Sequence, residues 1–127
     1  MYTINEVRKM FDISTSTLRF YESEGILPKV GRDSNGRRVY DESQIEWLNL
    51  LVALKDTGMP LEQIREYLQM AYEGDSTLEQ RREVLLEHKQ SVEAKLALTL
   101  THLEKINNKI ILYDVLVLKK DPQKFTI

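Results

Sequence analysis

The chain has 127 residues, the size of one ordinary domain or of a small domain plus one long element. Hydrophobic residues make up 42%, enough for a thin packed core, and charged residues reach 30%, which points to long solvated helices. No apolar run approaches the ~20 residues of a membrane span, and the absence of Cys excludes disulfides, thiolate metal sites and thiol redox switching.

The opening Met1-Tyr2-Thr3-Ile4 lacks the basic-then-apolar pattern of a signal peptide, so the expected location is cytoplasmic. Net charge is −2, which by itself argues mildly against a nucleic-acid partner. Distribution matters more than the total. Between Lys29 and Arg38 stand Lys29, Arg32, Arg37 and Arg38 against the single acid Asp33.

Thr3 and Glu6 have capping-box spacing, in which each side chain satisfies the other residue's orphan backbone N–H. Ile4, Val7 and Met10–Phe11 form the apolar stripe of a first helix, which Asp12–Ile13 ends. Ser14 caps a second helix carrying Thr15, Ser16, Thr17, Leu18, Arg19, Phe20, Tyr21 and Glu22, and Gly25 stops it. Two short helices joined by a tight turn, over about residues 3–24, suggest a helix-turn-helix, although many small helical domains contain such a pair.

Ile26-Leu27-Pro28 leaves the helix, and two extended pieces flank Asp33-Ser34-Asn35-Gly36. Asn-Gly is a strong hairpin signal because both residues tolerate positive φ. The ribbon, about residues 29–40, carries Arg32 before its turn and Arg37, Arg38 and Tyr40 after it. Arginines at this density do not serve a core. They suit a wing laid along a phosphate backbone.

A third helix starts at Asp41, with Gln44 in the capping-box position, and runs to about Asp56 on a face of Ile45, Leu48, Leu51–Val52 and Lys55, with Trp47 beside them. Gly58 ends it. Pro60 is expected at the first position of a fourth helix running to about Tyr72, which Gly74 stops. Ser76-Thr77-Leu78-Glu79 reads as another capping box.

From Leu78 to Leu118 there is neither Pro nor Gly, so one helix of roughly 60 Å is expected. A heptad register places Leu78, Arg82, Leu85, Lys89, Val92, Leu96, Thr99, Leu103, Ile106, Ile110, Tyr113 and Val117 at its a and d positions, and nine of these twelve are apolar. Such a helix needs a partner helix, and the simplest is a second copy. The dimerisation set is therefore Leu85, Val92, Leu96, Leu103, Ile106, Ile110, Tyr113 and Val117, within a pairing segment of about residues 76–118. A short tail, 119–127, follows. From Ile110 to Leu118 the apolar surface is wider than a two-stranded seam requires.

Thr17-Leu18-Arg19-Phe20-Tyr21-Glu22 with Gly25-Ile26-Leu27-Pro28, then Arg32 with Asn35-Gly36-Arg37-Arg38-Val39-Tyr40, resemble the MerR family of bacterial regulators. The likeness continues through Gly58, Leu61 and Ile64, covering about residues 2–72. It implies a mainly α fold: a winged helix-turn-helix DNA-binding domain over 1–72, followed by a long dimerisation helix in an antiparallel coiled coil. It implies a homodimer on a pseudo-palindromic promoter, which it bends and untwists so that RNA polymerase engages two over-spaced elements, with a small-molecule inducer as switch. By position, Thr15, Ser16, Thr17 and Arg19 would lie in or beside the groove. Tyr21 would reach a phosphate while its ring packs inward. Arg32, Arg37 and Arg38 would grip backbone, and Tyr40 would brace the ribbon. Gly58–Leu61 would be a second wing offering backbone N–H groups. Many relatives carry a basic residue where this chain has Ser16. In the thiol- and aldehyde-responsive subgroup a reactive cysteine stands where this chain has Ala53, so thiol sensing is excluded here. The cysteine ligands of metal-sensing branches are missing too.

Other readings of the same residues stand beside these. Arg19 could pair with Glu22 or Asp12 on the surface, and Phe11, Phe20 and Trp47 are read as core. His88 and His102, two heptads or roughly 21 Å apart, cannot chelate one ion within a helix and are read as solvated. No residue set suggests catalysis, a metal or a cofactor. An inducer pocket is placed near Tyr67, Tyr72, Tyr113 and Phe125. A coiled-coil adaptor binding only proteins explains Leu78–Leu118 but leaves the arginine ribbon without a purpose. A DNA-binding dimer without inducer is the third option.

Overall fold

The computed structural model describes residues 1–119 and 127, and they form two compact units, Met1–Leu86 and Glu87–Ile127. The first is built from β1 (Tyr2–Thr3), α1 (Ile4–Phe11), α2 (Thr15–Ser23), β2 (Gly31–Arg32), β3 (Arg38–Tyr40), α3 (Glu42–Asp56) and α4 (Leu61–Glu73). A 3-10 turn over Asp75–Thr77 then leads into α5 (Leu78–Lys119), whose residues from Glu87 onward form the second unit.

The helix boundaries follow local chemistry. Thr3 and Glu6 form the expected capping box on α1, and Asp12 closes that helix in the left-handed conformation, φ 52°. Ser14 caps α2 by accepting the Thr17 amide at 3.1 Å. At the other end of α2, Gly25 takes φ 72° while the Ile26 and Gly25 amides bond back to the Tyr21 and Glu22 carbonyls. This is a Schellman turn, and the buried Ile26 and Tyr21 supply its apolar contact. Asp41 and Gln44 form the box that opens α3. The same C-terminal turn recurs at Gly58, with the Met59 amide on the Leu54 carbonyl at 2.9 Å.

Three local expectations are corrected. Pro60 is the cap of α4 and not its first residue, so Leu61 opens the helix. Ser76–Glu79 is not a capping box. The buried Thr77 hydroxyl bonds the Met70 and Gly74 carbonyls, turning back onto the end of α4. The wing turn uses positive φ only at Gly36, at 75°. Asn35 stays at negative φ, because three loop residues, Ser34–Gly36, sit between the bonded pair Asp33 and Arg37.

The sheet order is β1-β3-β2, all antiparallel, with Tyr2 opposite Tyr40 and Arg32 opposite Arg38. The strand β1 was not expected. Thr3 both caps α1 and pairs with Val39, so a single residue joins the wing's base to the helix-turn-helix. Val7, Leu18, Ile26, Leu48, Leu51 and Ile64 are fully buried at the centre, where α1, α2, α3 and α4 meet. Val84 and Leu85 of α5 pack on this core, so Leu85 is already engaged within its own chain. Gln44, buried and polar, is satisfied by the Pro28 and Lys29 carbonyls.

In the second unit no α5 residue is buried. Leu96, Leu103, Ile106, Ile110, Tyr113 and Val117 are all exposed, while Val92 is half-buried. Leu98, Leu100, Ile111, Leu112, Val115 and Leu118 are exposed as well, which gives the helix its broad apolar girth. No described helix is long and apolar enough to cross a membrane.

Leu48 is completely buried. Leu48→Ala should cost about 2–5 kcal/mol of stability by leaving a cavity. Urea unfolding followed by Trp47 fluorescence measures this, and a loss below about 1 kcal/mol would show that the core collapses around the site.

Candidate nucleic-acid interface

Burial divides α2 into two faces. Leu18 and Tyr21 point into the core, whereas Ser16, Arg19, Phe20 and Ser23, at helical spacings of three and four, are exposed together. Contrary to the core position expected from its aromatic side chain, Phe20 is 45% exposed, because Leu18 and Tyr21 already fill the buried face. Trp47 and Phe11 are half-buried against the core, as expected. The Trp47 indole N–H donates to the Ile26 carbonyl at 2.7 Å, and its ring stacks on Tyr67 at 5.8 Å. The C-terminal end of α2 is thereby tied to α3 and α4. Arg65 of α4 adds a bond to the Glu24 carbonyl and an ion pair with the Glu24 carboxylate.

At the start of α2 the Ser14 hydroxyl lies 3.0 Å from that of Ser16 and 2.8 Å from that of Thr17. Ser16 is exposed, with Thr15 and Thr17 half-buried beside it. Arg19 makes no ion pair with a described residue, and Glu22, its expected competitor, is taken by Arg38. The Arg38 Nε lies 3.3 Å from Glu22 Oε2, and Glu22 Oε1 accepts the Val30 amide at 3.3 Å. Arg19, Glu22, Leu27, Lys29, Arg38 and Tyr72 line one open cleft of about 540 Å³. Its cations outnumber its one carboxylate, so it favours an anion.

The wing is held by its own acid. Asp33 Oδ1 accepts the Asn35 and Arg37 amides, each at 2.9 Å, and Arg32 Nη1 donates to the Gly36 carbonyl at 2.7 Å. Arg32 and Arg37 are exposed. Tyr40 is 1% exposed, and burial, more than the neighbouring charges, pushes its phenol above the ordinary range. It belongs to the buried core cluster and not to the exposed surface of the ribbon. Tyr21 is similarly buried and borders a second cavity of about 190 Å³, with Lys55 Nζ 5.2 Å from its ring centroid. Asp12, Asp56, Ser14 and Thr17 share that cavity. At the α3–α4 junction Pro60 offers no side-chain cap, which leaves the first turn of α4 without a side-chain acceptor from its cap residue.

A model of the MerR HTH family regulatory protein matches residues 2–71, more than half of the chain, and a second, the MerR DNA-binding model, matches 45–106. The chain belongs to the MerR family. An uncharacterised HTH-type transcriptional regulator of Haemophilus influenzae is 36% identical over 112 residues, 88% of this chain and 83% of that protein. The crystal structure of HiNmlR, a MerR family regulator lacking the sensor domain and bound to promoter DNA, is 34% identical. It superposes with a TM-score of 0.82 over 92% of this chain and 93% of that one. A MerR family regulator from Bacillus thuringiensis is 33% identical with a TM-score of 0.80, over 88% of this chain and 98% of that one. The chain is a transcriptional regulator with a DNA-binding domain, and the protein-only adaptor is not favoured.

Of the residues proposed for an inducer pocket, Tyr67 is stacked on Trp47, and Tyr72 is 67% exposed and borders the basic cleft. Tyr113 lies in the second unit, and Phe125 falls outside the described residues. Among the described residues no cluster of three His, Asp or Glu is placed to hold a metal. Glu22 and Lys55 were not expected in the site. By sequence spacing Glu22 is a local partner for Arg19, and nothing in a linear reading pairs it with Arg38, sixteen positions away.

Asp33→Ala removes the acceptor for two turn amides. Hydrogen exchange should then accelerate at Asn35 and Arg37, while the melting of the core changes by no more than about 0.5 kcal/mol. Unchanged protection would mean the turn is held without that carboxylate.

Proposed function

We propose that the chain binds double-stranded promoter DNA as a homodimer, with α2 in the major groove and the arginine wing along the phosphate backbone. The observation that carries this is the cleft lined by Arg19, Lys29 and Arg38, with Arg32 and Arg37 exposed on the same wing as Arg38, on a fold similar to a regulator crystallised on promoter DNA. Arg38 adds to the grip, the α4 first turn offers N–H groups to a phosphate, and Tyr21 reaches one from beneath with its ring in the core. Ser16, Arg19 and Phe20 form the face that meets base edges, with Thr15 and Thr17 at its margin.

The α5 helices pair antiparallel through the exposed seam from Val92 to Val117 and hold two DNA-binding units apart on a pseudo-palindromic site. Regulation then works by distorting the duplex, at roughly 1–6 kcal/mol of deformation energy, so that RNA polymerase is admitted or blocked. The protein acts in the cytoplasm as a regulator and not as an enzyme. An inducer, where there is one, acts by some chemistry other than a thiol at position 53, because that exposed site holds Ala53.

Fluorescence anisotropy on the protein's own upstream promoter, against a scrambled duplex over a salt series, tests the reading. Strong, salt-sensitive preference for the promoter supports it, and equal weak binding to both duplexes from a folded dimer overturns it. Arg19→Ala should weaken promoter binding by about 1–3 kcal/mol with the dimer intact, and wild-type affinity would remove Arg19 from the interface. Leu103→Asp places a charge in the seam and should yield a monomer in analytical ultracentrifugation. A surviving dimer would refute the register.

A further inference from the structure

We propose that Glu22 is a positioning residue, which fixes where the wing's Arg38 stands relative to the recognition helix and so lets both grip one duplex together. The inference rests on the DNA-binding reading above and deepens it, because that reading uses Arg38 as a contact and gives Glu22 no part.

The geometry is specific. One carboxylate on α2 holds both limbs of the wing: Oε1 takes the Val30 amide where the chain enters the ribbon, and Oε2 takes Arg38 Nε on the returning strand, each at 3.3 Å. The sheet is too small to fix this relationship unaided, since β2 has two residues and β3 has three. Binding through Nε leaves both terminal nitrogens of the guanidinium without a described partner, and a guanidinium has five donors arranged as a fork. The same group can therefore meet a carboxylate on one edge and a phosphate on another. Both side chains are only about a fifth exposed, at 22% and 21%, so salt screens the pair less than a surface one. Arg38 loses its rotamer freedom on folding and does not lose it again on binding. Arg19, one turn earlier on α2 and bordering the same cleft, has no such tether.

A different role for the same carboxylate makes the opposite prediction. If Glu22 only neutralises Arg38, its removal frees a cation beside the phosphates, and DNA binding tightens. If it positions Arg38, removal weakens binding although a negative charge has left the interface. The sign of the change decides between them.

The experiment measures promoter affinity of the full chain by anisotropy, over a salt series, for wild type, Glu22→Ala, Arg38→Ala and the double variant. Glu22→Ala is expected to lose roughly three- to thirtyfold in affinity, and its salt slope should fall by about 0.9, the loss of one phosphate contact. Adding it to Arg38→Ala should cost little more, because both changes remove one interaction. Tighter binding by Glu22→Ala, an unchanged or steeper slope, or losses that add would each overturn the proposal. Should Glu22→Ala fail to fold by circular dichroism, Glu22→Gln keeps an acceptor for the Val30 amide and is read by the same signs. Hydrogen exchange in the free protein supplies an arm independent of DNA. The Val30 amide should lose protection in Glu22→Ala and keep it in Arg38→Ala, and equal protection in both would overturn the tether. Failure of the wild type to bind DNA would count against the regulator reading, which leaves this exchange result to stand or fall alone.

Discussion

Burying one side of a nine-residue helix is the constraint on which the rest of the first unit depends. A helix as short as α2 is not stable alone in water, so Leu18 and Tyr21 must be held by neighbours before Arg19 can be presented. The fold meets this at both ends. Ser14 caps the start, and at the finish the Gly25 turn brings Ile26 back beneath Tyr21, with its carbonyl fixed by the Trp47 indole. The exposed face of α2 is left to polar and basic groups and to Phe20 because all the apolar work is done on the other side.

The same economy governs charge. The chain as a whole is slightly acidic, yet the acids nearest the basic surface serve structural ends. Asp33 is committed to two backbone amides of its turn, Glu22 to Val30 and Arg38, and Glu24 to Arg65. Their negative charge faces local donors at about 3 Å. Opposing charge is therefore compensated within the domain, and Arg19, Arg32 and Arg37 carry the outward field.

What could be read in the sequence was what local rules determine. The caps at Thr3, Ser14 and Asp41, the glycine stops at Gly25, Gly58 and Gly74, and the arginine ribbon are short-range signals, each legible within about six residues. The two-residue β1 was missed because Thr3 looked fully accounted for as a cap, and sheet pairing adds no local mark. Phe20 was misjudged because aromatic identity argues for the core, whereas helical phase, set by Leu18 and Tyr21, argues for solvent. The phase wins once the buried face is full. The Glu22–Arg38 pair was invisible for a related reason. Pairing at three or four positions is a property of one helix, but this pair exists only because the wing folds back on α2.

The second unit poses the converse problem. From Leu96 to Leu118, α5 exposes a dozen large apolar side chains, more than the apolar patch an ordinary monomer leaves in water. No residue of that stretch is fully buried within the described chain, and its helical propensity, with Thr99, Thr101, Asn107 and Asn108 in its middle, is modest. A long helix of this composition is stable when another surface covers it, and a stripe repeating every three and four residues matches another helix of the same kind. A charge-bearing DNA face on one unit and an uncovered apolar helix on the other are then two halves of one requirement. One wing and one exposed α2 face read too few base pairs to select a site in a genome, and the proposed pairing through α5 would double what is read without enlarging the domain that reads it.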